Sequence, residues 1–245
     1  MSDKAIRRPK RTGRSVVALT VERLDELPHP CRSCAFWERT PAQSSLPTGD
    51  AAADKRGWLA GVALSWGTPG RMVYVDEEPA GYLVYAPGPL VPRAMAFPTS
   101  PVSDDALVLV TARVVERFAG QGLGRVLVQS AAKQALRRGY RALEAFAATG
   151  VGGGSAHLGR PGRSCAEGED EQTCCVLPVD FLTAVGFATV REHAAYPRMR
   201  LDLRTALAWR ADVEHAVERL FAPIRGLQRP PAAAGTSPRD ALPHP

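Results

Sequence analysis

The sequence predicts a mixed α/β domain of the α+β type, and three stretches carry that expectation. Arg71 to Val75 and Ala80 to Tyr85 are short β-rich runs flanking Asp76-Glu77-Glu78-Pro79, a turn composition that joins them as a hairpin. Ala106 to Val115, a glycine-rich turn, a helical stripe and Arg141 to Phe146 spell strand, turn, helix and strand. Beyond a polar insertion, Phe187 to Arg191 and Arg198 to Leu203 read as two closing strands that pair with each other.

The elements follow in chain order. Residues 1–14, MSDKAIRRPKRTGR, form a basic, solvated leader with no apolar stretch behind it, so no secretory signal is expected. The folded domain is expected over 15–203. Val16 to Thr20 is its first strand, a Cys-bearing helical region follows, and Ala51 to Ser65 is a helix. After the hairpin and the long strand comes the clearest helix, with Leu123, Leu127, Ala131 and Ala135 on one stripe and Arg125, Gln129, Lys133 and Arg137 elsewhere. Gly139 stops it. Residues 149–173 are too polar and glycine-rich to bury backbone groups and read as a flexible surface insertion. Val179 to Val185 is a short helix ending at Gly186. A last amphipathic helix, carrying Leu207, Val213, Val217 and Leu220, is expected over 204–228, with a disordered Pro- and Ala-rich tail over 229–245.

Composition excludes several classes. With 245 residues, 45% of them hydrophobic and 23% charged, the chain can fill a core, which argues against disordered, collagen-like and coiled-coil readings. No apolar run reaches the length of a membrane span, and a cytoplasmic protein without a membrane partner is expected. The net charge of +6 resembles a nucleic-acid footprint until it is located, because six basic residues of the leader against Asp3 account for most of it. Nucleic acid is therefore not the expected partner. Five cysteines cannot all pair, and reduced thiols are expected.

The chemistry is concentrated in Arg113-Val114-Val115-Glu116-Arg117-Phe118-Ala119-Gly120-Gln121-Gly122-Leu123-Gly124-Arg125. Glycines between a strand and a helix let the chain turn sharply and present backbone N–H groups, while the helix start attracts an anion. A phosphate-bearing ligand follows, and Arg125 adds a positive charge suited to phosphate oxygens. A P-loop would need Gly-Lys-Ser/Thr, which is missing. A dinucleotide fingerprint would need G-x-G-x-x-G, whereas the third glycine here arrives one position early. Glu144, twenty residues on, would suit a ribose, but the preceding hundred residues hold a hairpin and no second βαβ unit.

The segment instead resembles motif A of the GCN5-related N-acetyltransferases (GNAT), Arg/Gln-x-x-Gly-x-Gly/Ala between the fourth strand and the third helix. The element order from Val16 to Leu203 is similar to the whole core of that family, and Phe181-Leu182-Thr183-Ala184-Val185-Gly186-Phe187 is similar to its (F/L)YxxxGF segment. The resemblance implies the GNAT acyl-CoA N-acyltransferase fold: a mixed, mostly antiparallel central sheet flanked by helices, here with a further C-terminal helix. It implies acetyl-CoA as co-substrate, with its pyrophosphate on the backbone N–H groups of Gly120, Gln121, Gly122, Leu123, Gly124 and Arg125. Its pantetheine arm would lie along Ala112, Arg113 and Val114, and its thioester at the splay between the strands ending near Val114 and Phe146. The expected reaction is acetyl transfer to a primary amine by direct attack, in a monomer or homodimer. The alternative is a catalytically weak acyl-CoA-binding or regulatory module.

Two positions depart from the family pattern. In the register Ala119-x-x-Gly122-x-Gly124 the Arg or Gln is an alanine, and the tyrosine that protonates the leaving thiolate in many members falls at Leu182. Tyr196 is then the candidate acid. Glu116 and Glu144 are the candidate bases, since only a neutral amine attacks a thioester. His193 flanks the same turn as Tyr196, and Asp180 reads as a first-turn acid of its helix. Cys31-Arg32-Ser33-Cys34 is a CxxC, and Cys174-Cys175 follow the insertion. Zinc ligation, a redox pair and simple packing stay open for these thiols, and no metal is firmly expected. Cys34-Ala35-Phe36-Trp37-Glu38 is similar to a Cys-rich aromatic segment of actinobacterial-type members, which implies a place by the acceptor pocket.

Overall fold

The computed structural model describes residues 13–44, 50–149 and 175–204, all within the first of the chain's two units, which ends at Leu207. The readings for residues 1–12 of the leader, for the insertion from residue 150, for the helix past residue 204 and for the tail lie outside these residues, whereas the last two leader residues belong to the fold: Gly13 N donates to Asp76 Oδ1 at 2.8 Å and Arg14 pairs with Val75 as the start of the first strand.

The strands are β1 (Arg14–Ala18), β2 (Gly70–Val75), β3 (Glu78–Pro87), β4 (Ala106–Val114), β5 (Ala142–Ala148), β6 (Leu177–Pro178), β7 (Ala188–Arg191) and β8 (Arg198–Asp202). They form one sheet in the order β1-β2-β3-β4-β5-β8-β7, with β6 paired to β5. Every neighbouring pair on that path is antiparallel except β4 and β5. The helices are α1 (Pro41–Ser44), α2 (Ala51–Ser65), α3 (Leu123–Arg137) and α4 (Val179–Ala184). This is the mixed, mostly antiparallel sheet flanked by helices that the sequence implied.

The hairpin closes more tightly than its composition suggested. Only Asp76 (φ 49°) and Glu77 (φ 68°) form the turn, both left-handed as the twist of a two-residue hairpin requires, and Glu78 already pairs with Val75. Pro79 lies inside β3 because a bulge follows it. Tyr74 pairs with Pro79 and Val73 with Gly81, leaving Ala80 as the extra residue. A second correction concerns the Cys-bearing region, which is not helical. Cys31 sits in a turn and Cys34 just beyond it, between a 3-10 helix (Val21–Glu26) and α1, where Pro28 and Pro30 deny an α-helix two backbone donors.

Alternation along the strands feeds two cores. Val73, Leu83, Leu107, Leu109, Leu143 and Ala145 face α3 and α4, while Met72, Val84, Val108, Val110 and Phe146 face α2 and the Trp37 segment. All seven residues of β5 are consequently buried. Asp50 caps α2 by accepting from Ala52 N at 2.9 Å, and the helix turns Lys55, Leu59 and Val62 inward.

Glu144 is the third residue of β5, and it is wholly buried. Its carboxylate accepts from Ser103 N (3.0 Å), Ser103 Oγ (2.7 Å) and Arg200 Nη1 (2.9 Å), and Arg198 Nε lies 3.4 Å away. Arg200 also grips Asp105 with both terminal nitrogens at 2.9 Å, tying β8 to the chain entering β4. The Arg200 hydrogen bonds hold the Asp105 carboxyl below its ordinary range. A depressed carboxylate stabilises the fold above its unfolded value near ~4, and that contribution is lost as pH falls through the folded value. The Asp105 side chain is 38% exposed, so screening limits the effect. Asp105→Asn is expected to cost about 0.5–1 kcal/mol at neutral pH in urea unfolding, and to cost nothing once the medium is acid enough to protonate the wild-type carboxylate.

Candidate active site

The glycine turn starts where β4 ends. Val115 N–H is taken by Ala80 O at 2.9 Å, and a single 3-10 turn (Glu116–Phe118) carries the chain to Ala119. Gly120 (φ 75°) and Gly122 (φ 76°) are both left-handed, a conformation that costs a side chain roughly 1–2 kcal/mol. Gly122 is the N-cap of α3, and no side chain caps that helix. The first bond into it runs from Val126 N to Gly122 O at 3.2 Å, so the N–H groups of Leu123, Gly124 and Arg125 have no intrahelical partner. A Cβ built on Gly120 or Gly122 meets nothing within 4 Å, so the turn opens onto free space. Gln121 is exposed between the two glycines, while Leu123 is buried and plugs the base of the turn into the core. Open donors at the positive end of a four-turn helix are an anion cradle.

Two side-chain expectations change here. The Arg125 guanidinium donates through Nη2 to Ala184 O at 2.9 Å, which ties it to the end of α4. Gly124 serves packing as well as the turn, since a Cβ there would stand 2.9 Å from the Phe181 ring. Leu182, where the family tyrosine was sought, is completely buried in the α3/α4 core.

Beside the turn the two parallel strands separate. β4 and β5 share only the pairs Ala106 with Ala142, Leu107 with Leu143 and Val108 with Glu144. Directly beyond them β4 bulges, because Tyr85 pairs with Leu109 and Val84 with Thr111, leaving Val110 extra. From Leu109 onward β4 has no register partner on β5, and Ala112, Arg113 and Val114 lie on that stretch. A strand edge released from its neighbour can take up an extended ligand by backbone hydrogen bonds.

The α2 face of this splay carries an aromatic wall and three cysteines. Trp37 stacks on Phe97 (5.1 Å between centroids) and Phe146 (6.4 Å), Phe97 meets Tyr196 edge-on at 5.5 Å, and Trp37 Nε1 donates to Cys175 O at 2.9 Å. Arg113 Nη1 lies 3.0 Å from Cys31 Sγ, and Cys34 Sγ lies 3.0 Å from Cys175 Sγ. Burial, with Cys31 beside it, holds the Tyr82 phenol well above its ordinary range, so this hydroxyl stays protonated. Among the described residues no group of three or more His, Cys, Asp or Glu side chains is placed to hold a metal. Cys165 and Cys174 lie outside those residues.

The other candidates separate clearly. Glu116 is exposed two residues past the end of β4, its carbonyl accepts from Ala119 N at 2.9 Å, and its carboxylate has no hydrogen bond or ion pair among the described residues. Glu144 points into the α2 face, where its carboxylate accepts both Ser103 bonds and the Arg200 bond and faces Arg198, which ties it into the fold. Tyr196 is half-buried against Phe97 at the end of β5, while the His193 Nδ1 accepts the N–H groups of Ala195 and Tyr196 and shapes their turn. Asp180 stands in the first turn of α4 as expected. Sequence reasoning missed the Lys55–Glu38 ion pair, the Arg113 contact to Cys31 and the meeting of Cys34 with Cys175. Only the CxxC and the second cysteine pair hinted at any of this.

The profile of the Acetyltransferase (GNAT) family matches residues 28–156, more than half of the chain. Similar solved structures include the PaiA N-acetyltransferase of Thermoplasma acidophilum in complex with coenzyme A, at 10% identity over 78% of this chain and 99% of that one, with a TM-score of 0.46. An N-acetyltransferase of Staphylococcus aureus Mu50 is 14% identical over 78% and 99% of the two chains, also at 0.46. YncA of Salmonella typhimurium with its cofactor acetyl-CoA is 13% identical over 78% and 94%, at 0.43. No curated protein sequence matches the chain. No helix among the described residues is long and apolar enough to cross a membrane.

Proposed function

We propose, for a chain that belongs to the acetyltransferase (GNAT) family, that it moves an acetyl group from acetyl-CoA to a primary amine by direct attack. The observation that supports this most is the conjunction of an uncapped, doubly left-handed glycine turn with a strand edge released from Leu109 onward. A diphosphate fits the first, because its charge meets backbone donors at a helix start and no side chain intrudes. A pantetheine arm fits the second, since its amides can pair with the freed edge from Leu109 to Val114.

The chain's own residues then have distinct tasks. Gly120 to Arg125 bind the diphosphate through main-chain N–H groups, and Ala112 to Val114 orient the arm. The splay admits the thioester between β4 and β5. Glu116, the carboxylate left unengaged, takes the proton of the ammonium directly or through water, which lets the neutral amine attack. Tyr196, beside the aromatic wall at the end of β5, is the hydroxyl available to return a proton to the departing thiolate. Tyr82 also keeps its proton, but it is buried beside Cys31.

The test is to follow free thiol while the protein is given acetyl-CoA and a panel of primary amines. Release of coenzyme A that depends on an amine is expected. Protection of the fold by acetyl-CoA without release would establish the binding module instead. In the active case, Glu116→Gln should lower the rate about 100-fold or more, with little change in acetyl-CoA affinity.

A further inference from the structure

We propose that Cys34 and Cys175 are an oxidisable dithiol, a modification site that takes a small-molecule disulfide as oxidant and closes into an intramolecular bond. The two thiols come from positions 141 residues apart and meet at 3.0 Å, inside the contact distance of two packed sulfurs. About 1 Å of movement brings them to the ~2.05 Å of a disulfide. Both chain segments are already fixed at that point. Lys55 Nζ donates to Cys34 O at 3.0 Å, and Trp37 Nε1 donates to Cys175 O at 2.9 Å. The meeting is thus a product of the packed fold and not of two loose loops.

The surroundings suit exchange chemistry. The contact with Cys175 holds the Cys34 thiol below its ordinary range, and the buried Lys55 ammonium adds to that, although burial opposes it. Cys34 is 8% exposed, whereas Cys175 is only half-buried, so a reagent from solvent meets Cys175 first. The Cys175 thiolate attacks one sulfur of the small disulfide and expels one thiolate. The Cys34 thiolate then attacks the Cys175 sulfur, forms the protein disulfide and expels the second thiolate. Two protein thiols are oxidised, the small disulfide is reduced to two thiols, and the two protein protons pass to the leaving thiolates. Excess dithiol reductant reverses both steps. The bond pins the turn ahead of α1 to the chain entering β6, on the α2 face of the β4/β5 splay.

Cys31, half-buried and bonded to Arg113, is the built-in comparison, since it shares the CxxC without sharing the contact. The full-length chain, reduced and then incubated with glutathione disulfide, is expected to lose two hydrogens per chain. Fragmentation of its peptides should join Cys34 to Cys175. The oxidised chain should unfold about 5 °C or more above the reduced one, because the link closes a long loop. Cys31→Ser and Cys174→Ser should keep the link. Cys34→Ala and Cys175→Ala should abolish it, with far-ultraviolet dichroism of each variant recording that the fold persists. Should either fail to fold, the link in the wild-type chain is read from the peptide map alone. Bonds to Cys31 or Cys174 in its place, stable glutathione adducts without an internal bond, or one zinc ion retained per purified chain would each overturn the assignment.

Discussion

Replacing Gly122 by aspartate is expected to weaken acetyl-CoA binding at least ~100-fold while leaving the chain folded. The expectation rests on where that residue stands. Its φ of 76° puts it among the few positions that favour glycine, yet a Cβ there would touch nothing within 4 Å, so the added side chain projects into the open cradle. Asp tolerates left-handed backbone better than most residues, which limits the conformational cost to roughly 1 kcal/mol. Its carboxylate, however, would sit at the helix start, pair with the N–H groups of Gly124 or Arg125 and repel a diphosphate. Two orders of magnitude in affinity correspond to about 2.7 kcal/mol, which is within the ~4 kcal/mol that two like charges about 4 Å apart cost near a protein surface. Calorimetric titration with coenzyme A measures the loss. Gly122→Ala is the control, since it carries the backbone strain without the charge and should lose far less affinity. An aspartate variant that binds as tightly as the wild type would refute the cradle.

Lys55→Met should be strongly destabilising, at about 3–5 kcal/mol in urea unfolding. Lys55 is 6% exposed and Glu38 9%, and the ammonium pairs with that carboxylate while also donating to Cys34 O. Burial opposes the Lys55 charge, but the Glu38 carboxylate and its hydrogen bond outweigh that, and the ammonium is held above its ordinary range. A raised amine stabilises the fold below its unfolded value near ~10.4, and the contribution is lost as pH climbs through the folded value. The wild type should therefore weaken in strong alkali by more than the Met variant does. Removing Lys55 alone leaves Glu38 buried and unpaired. The double change Lys55→Met with Glu38→Gln should recover a large part of the loss, and a double variant as unstable as the single one would show that packing, not charge, sets the cost.

The two experiments probe opposite kinds of knowledge. Gly122 was identifiable from the chain alone, because only a short list of structures needs glycines spaced between a β-rich run and an amphipathic stripe. The helix that follows is just as local. Leu123, Leu127, Ala131 and Ala135 recur at helical spacing, and they are the residues that α3 buries. Ala51 to Ser65 and the hairpin strands were legible for the same reason, since propensity and period agree within each segment.

Lys55 was not identifiable. A lysine on a helix reads as a solvated charge, and nothing in its neighbours announces a carboxylate seventeen residues earlier. Glu144 misled in the opposite direction. Its distance from the glycines suited a functional acid, yet Ser103, Arg198 and Arg200 converge on it from segments far apart in sequence and turn it into a structural tie. Arg125 was placed correctly on its helix, but its guanidinium reaches the end of α4 because Gly124 lets the Phe181 ring close in.

What the sequence determined by itself is whatever depends on neighbours within a turn or two: the strand and helix positions, the glycine turn and the family to which the turn belongs. The tertiary structure decided which charges meet, which side chains are withdrawn from the site and which thiols touch. Those outcomes depend on contacts between residues tens to more than a hundred positions apart. Local spacing cannot encode them, because only closure of the sheet brings such residues within hydrogen-bonding distance.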